Sequence, residues 1–111
     1  MSLPVVLYLR FRAQEHYRGE LFEFLRKAVP YYEQPGGIRV RLFQSLSAPD
    51  VFLEVVEYKD RETYELDQQR VGRDSKMKAL LEEWHSLHAG PVTAEAYYEL
   101  NPSSSTGGDN A

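Results

Sequence analysis

The sequence predicts one α+β domain, with a four-stranded antiparallel sheet carrying helices on one face and segments in the order β-α-β-β-α-β. Three observations lead there. The hydrophobic period changes from two residues to three or four and back along the chain, which is the mark of strands exchanging with helices. Turn-forming clusters stand at the changes: Gln34-Pro35-Gly36-Gly37, Ser47-Ala48-Pro49-Asp50 and Gly90-Pro91. The composition, 42% hydrophobic and 27% charged over 111 residues, suits one packed core and leaves no room for a second.

Each element has its own signal. Residues 5–13 alternate, with Val5, Leu7, Leu9 and Phe11 opposite Val6, Tyr8, Arg10 and Arg12, a first strand. From 14 to 33 the apolar positions Tyr17, Leu21, Phe24, Leu25, Ala28, Val29 and Tyr32 recur at helical spacing; Pro30 is expected to kink that helix or end it early. Gln34-Pro35-Gly36-Gly37 stops it, because the proline holds φ and the glycines accept positive φ. Residues 38–46 and 51–58 alternate again and form a hairpin about the quartet 47–50. A second helical region opens at Asp60 as N-cap and runs to about His88; Gly72 splits it, and Asp74 or Ser75 caps a fresh start. Residues 92–100 form the last strand.

That order of elements, with right-handed crossovers, gives a ferredoxin-like sheet in spatial order 4-1-3-2. The face left open is expected to carry Tyr8, Arg10, Arg12, Arg39, Arg41, Phe43, Phe52, Glu54, Val56, Tyr58, Glu95, Tyr97 and Glu99. Aromatic rings and arginines are the residue types enriched in interfaces, so a homodimer, sheet against sheet, is expected, with the carboxylates of the last strand pairing the arginines of the first. Residues 1–100 make the domain, and 101–111, which hold no apolar residue beyond alanine and proline, make a polar tail.

Charge and composition exclude several function classes. Thirteen basic against 17 acidic residues leave a net charge of −4, the wrong sign for a phosphate-backbone binder, so no nucleic acid is expected. There is no cysteine for a disulfide, a thiolate metal site or a cysteine nucleophile. No apolar run reaches the length of a membrane span or a signal peptide, which points to a cytoplasmic protein that does not engage a membrane. Three scattered histidines, His16, His85 and His88, lack a ligand repeat, so no metal is expected. His88 lies four residues after Trp84, hence on its face, and is the candidate general base; a histidine at a helix C-terminus is also favoured by the helix dipole alone.

The first strand, the helix ending Glu33-Gln34-Pro35-Gly36-Gly37-Ile38 and the stretch Glu54-Val55-Val56-Glu57-Tyr58-Lys59-Asp60-Arg61-Glu62 resemble the antibiotic biosynthesis monooxygenase (ABM)-like domains of the dimeric α/β-barrel superfamily, over residues 5–100. Many members carry a tryptophan where this chain has Tyr58 and histidines where it has Leu66-Asp67-Gln68-Gln69-Arg70. Haem degradation is set aside, since the asparagine of that branch has no counterpart before Asn101.

The resemblance implies a dimeric α/β barrel with a pocket between sheet and helices. It also implies a cofactor-independent monooxygenase acting on an electron-rich aromatic compound, a reaction that needs a stabilised substrate anion and an apolar cavity rather than a bound cofactor. The alternative is a non-catalytic dimeric module that binds a small hydrophobic ligand. Ala94 and Ala96 are expected to leave space against Trp84, with Trp84, Phe24, Met77 and Tyr98 as substrate-binding walls. The catalytic candidates are His88, Tyr64 and Gln68, the last two sharing a helix face with Asp67 and Arg73 nearby.

Overall fold

A computed structural model describes residues 3–100; the expected tail lies outside the described residues. The elements are β1 (Val5–Arg12), a 3-10 turn at Glu15–Tyr17 that leads into α1 (Arg18–Tyr32), β2 (Ile38–Gln44), β3 (Val51–Tyr58), α2 (Arg61–Arg73), α3 (Ser75–His85) and β4 (Ala89–Tyr98). All strand pairs are antiparallel, in the order β2-β3-β1-β4 that the sequence predicts.

The helical stripes bury what their spacing says they should. Leu21, Phe24, Leu25 and Ala28 of α1 and Leu80 and Trp84 of α3 close over Phe11 and Phe52 of the sheet. Pro30 neither ends nor breaks α1, which runs two residues further: its missing N–H falls in the last turn, and Glu33 N–H donates to Val29 O at 2.9 Å to close the helix. Gly37, at φ 73°, is fixed twice over, since a Cβ there would come within 2.8 Å of the Lys59 side chain.

The long helical region divides at Asp74 rather than at Gly72. Asp60 caps α2 by accepting from Thr63 N–H at 2.8 Å, and Asp74 caps α3 by accepting from Lys76 and Met77 N–H. α3 ends at His85, short of the expected His88, and β4 begins at Ala89 with Gly90 and Pro91 inside it. β4 is an edge strand, where a proline without an N–H is tolerated, and the pairing with β1 is irregular there, between Arg10 and Arg12.

One expectation is overturned. Phe52, Glu54, Val56 and Tyr58 do not lie on the open face: they stand opposite Phe11, Leu9, Leu7 and Val5, so all eight side chains face the helices. β3 is apolar at both parities, so its alternation alone could not choose a side, and the register against β1 chose it. The open face instead takes Leu53, Val55 and Glu57 from β3 beside Tyr8 and Arg10 of β1, Arg41 of β2 and Glu95 and Tyr97 of β4. Its ion pair runs between Arg41 and Glu57, and Glu95 accepts from the Tyr97 hydroxyl at 2.8 Å rather than pairing with an arginine of β1.

A second expectation also changes. Ala94 and Ala96 are exposed, because the helices lie over β1, β2 and β3 and leave β4 open; only Val92 of that strand is half-buried. The space beside Trp84 opens towards the middle of the sheet instead.

Candidate active site

Between the sheet and the helices lies a cavity of about 200 Å³. Its floor is Leu7 and Leu9 of β1, Ile38 and Val40 of β2, and Glu54, Val56 and Tyr58 of β3; its roof is Tyr32 of α1, Asp67, Gln68 and Val71 of α2, and Met77, Leu81 and Trp84 of α3. The β1–β3 register puts a carboxyl in that floor, with Leu9 directly across from Glu54 on one side and Leu42 on the other.

Glu54 is 5% exposed, and no described side chain donates a hydrogen bond to it. Withdrawal from water disfavours its charged form and pushes its pKa up to about 7. The two hydroxyls of the cavity are kept neutral by the same cause. Burial, then the charge of Glu54, raises the Tyr32 hydroxyl, and burial, then the bond to Asp67, raises that of Tyr58.

α2 covers the cavity although it buries no residue of its own, so polar contacts hold it down. Tyr58 Oη donates to Asp67 Oδ2 at 2.7 Å, and the Arg70 guanidinium lies 3.5 Å from the other oxygen of Asp67. Arg70 also donates to the backbone carbonyls of Tyr31 and Tyr32, each at 3.1 Å, satisfying two of the acceptors that the C-terminal end of α1 leaves free. Its guanidinium stands over the Tyr31 ring, and Tyr31 Oη donates to Asp74 at the α2–α3 joint. This network ties α2 to the end of α1 and to β3, and so sets the height of Gln68 above the cavity floor.

The structure gathers some of the candidate residues and separates others. Gln68, Trp84 and Met77 line the cavity. Phe24 is 3% exposed in the core cluster formed with Phe11 and Phe52 and is not among the cavity walls. Tyr64 and Tyr98 frame a neighbouring groove with Arg61, whose guanidinium donates to the Tyr98 hydroxyl at 2.8 Å; the Tyr64 ring stands edge-on to Tyr58. His88 packs against the Trp84 and Phe11 rings, with Nε2 2.9 Å from Nδ1 of His85, and does not line the cavity. Burial, and then the neighbouring His85, lowers its pKa.

Glu54 and Tyr32 are the site groups that sequence reasoning missed. Nothing in the sequence singled out Glu54: β3 is apolar at both parities and carries a second acid, Glu57, on the other one, so the register against β1 decides which of the two is buried. Among the described residues, no group of three histidine or acidic side chains is placed to hold a metal ion, and no helix is long and apolar enough to cross a membrane.

The profile of the antibiotic biosynthesis monooxygenase family matches residues 4–68, more than half of the chain. This chain belongs to the ABM family. No curated protein matches it. Solved structures share the ABM fold at low identity. A Nitrosomonas europaea protein, provisionally named an antibiotic biosynthesis monooxygenase, is 16% identical at a TM-score of 0.74, with 92% of this chain and 95% of that one covered. A conserved protein from Methanosarcina mazei is 15% identical at a TM-score of 0.72, with 86% and 92% covered. A Bacteroides thetaiotaomicron protein of unknown function, described as a possible oxidoreductase, is 14% identical at a TM-score of 0.69, with 89% and 100% covered. The ABM match ends at Gln68, so α3 and β4, and with them Met77 and Trp84, lie beyond it.

Proposed function

We propose that this ABM-family protein is a small-molecule enzyme: a monooxygenase that oxidises an electron-rich aromatic compound in the helix-covered cavity without metal or flavin. The observation that carries the reading is the cavity itself, a space of about 200 Å³ between sheet and helices whose surface is mostly apolar. Oxygen dissolves readily in such a space, and an aromatic anion formed there is held by fixed dipoles instead of water. Trp84 and Met77 hold the ring, and the Gln68 amide bonds the substrate oxygen.

The overall reaction balances with oxygen as sole oxidant. A ring carbon loses its hydrogen and becomes a carbonyl, the hydroxyl proton is lost as well, and the second oxygen atom leaves as water. Uptake of oxygen over a panel of phenols is the test. Turnover by the wild type, lost when Met77→Trp fills the cavity, is the expected result. Saturable binding with uptake no faster than buffer across the panel overturns the catalytic reading and leaves the binding module.

The working unit of the proposal is a homodimer joined through the open sheet face; ABM proteins are typically dimeric. Val6 and Val55 are buried there, the Tyr8 and Tyr97 rings meet edge to face, and Arg10 forms no ion pair among the described residues. Arg10→Glu is expected to shift the sedimenting mass towards the monomer at dilute concentration. A dimer mass unchanged in that variant counts against this surface.

A further inference from the structure

We propose that Glu54 is the group that accepts the hydroxyl proton of a phenolic substrate. The oxidation part rests on the monooxygenase reading above.

Chemistry sets the hydroxyl. Glu54 is buried with Leu9 and Leu42 across from it on the neighbouring strands and no described donor, and an unpaired carboxyl in such surroundings is costly until a ligand supplies a donor. A phenol supplies one hydroxyl for the carboxyl and an apolar ring for the walls. A pKa of about 7 lets the same carboxyl both take and return a proton near neutrality.

The step runs as follows. The phenol O–H bond breaks and its proton goes to a Glu54 oxygen. The phenolate forms a bond from its ortho carbon, beside the oxygen that Glu54 holds, to dioxygen, and the terminal peroxide oxygen recovers the proton from Glu54. The C–H of that carbon then loses its proton to Glu54 as the O–O bond breaks; the departing hydroxide takes that proton and leaves as water, and the ring leaves as a quinone. One phenol and one dioxygen give one quinone and one water, and no external reductant enters.

The groups that face Glu54 leave it free to titrate. Tyr32 and Tyr58 stay neutral, and Asp67 is engaged by Tyr58 Oη with Arg70 beside it. β1, β2 and α3 present only Leu7, Leu9, Ile38, Val40, Leu42, Met77, Leu81 and Trp84, none of which is charged.

The test compares phenol with its methyl ether, anisole, which has the same ring and no donor. An ionised carboxylate accepts a much stronger hydrogen bond than a neutral acid, while the cost of drying the cavity is common to both ligands. The anisole Kd divided by the phenol Kd is therefore expected to rise about tenfold as pH crosses about 7, and to stay flat in Glu54→Gln. A flat ratio in the wild type, or the same rise in Glu54→Gln, overturns the proposal. If the variant does not fold, the wild-type ratio alone decides.

Turnover separates this inference from the reading beneath it. Glu54→Gln is expected to lower kcat by about a hundredfold or more. Undiminished turnover in that variant overturns Glu54 as proton acceptor and leaves the monooxygenase standing. A pH-dependent ratio without oxygen uptake on any phenol overturns the monooxygenase and the proton transfer with it, and leaves Glu54 as the carboxylate that holds the phenol hydroxyl by a hydrogen bond.

Discussion

Glu54 and Glu57 stand three residues apart on β3 and occupy opposite faces of the sheet. Glu57, on the open face, is partly exposed and pairs with the Arg41 guanidinium one strand away. Glu54, under the helices, has leucines across from it on both neighbouring strands and no described donor. The same side chain is thus the partner of an arginine at the surface in one place and a buried carboxyl with a pKa of about 7 in the other. What separates them is which side of one strand the helices cover, so a chemical property of the cavity follows from sheet register.

The largest effect expected from this contrast is on Phe52, which is 1% exposed and stacks on Phe11 beneath the helices. Phe52→Ala is expected to lower stability by about 3–5 kcal/mol in urea titrations. A loss near that of a surface substitution would put β3 back on the opposite register.

The pH dependence of stability sharpens the contrast further. A carboxyl at 4.5 when unfolded and about 7 when folded is protonated longer in the native state, so stability falls as pH rises between those values. Wild-type protein is expected to lose about 2–3 kcal/mol relative to Glu54→Gln between about pH 5 and about pH 8, read from paired denaturant curves. Parallel curves would mean that Glu54 is solvated like Glu57.

Asp74 shifts the other way. The Tyr31 hydroxyl, and then the Met77 N–H, hold its pKa below the usual carboxylate range. The stability it supplies is therefore present above its unfolded pKa and disappears as pH falls through the folded one. Asp74→Ala is expected to lower Tm by roughly 5 °C near neutrality, with the difference from wild type closing in acid. A difference that persists in acid would mean that the side chain acts through packing rather than charge.

The smallest effect belongs to the open face. Arg41→Ala removes an exposed ion pair and is expected to change subunit stability by less than about 0.5 kcal/mol in the same titrations. A much larger loss would show that the open face is as desolvated as the cavity.

Local rules account for most of the architecture. Alternation placed β1 and β2, the three-and-four spacing placed α1, and Asp60 and Asp74 were readable as caps because a short acidic side chain suits a helix start wherever it occurs. Part of the cavity was also readable: Trp84, Met77 and Gln68 are on helix faces that spacing alone sets. Phe24, Tyr64, Tyr98 and His88 share those faces or strands but sit outside the cavity, since a helical stripe says what is turned inward and not which inward residues meet a void.

Period and turn chemistry in the chain were thus enough for the order and kind of the strands and helical regions, because each depends on residues a few positions apart. The side to which β3 turns, and with it the burial of Glu54, was settled only by pairing with β1 across more than forty residues. A strand apolar at both parities packs equally well either way by itself, and the hydrogen-bonded register of its neighbour breaks the tie.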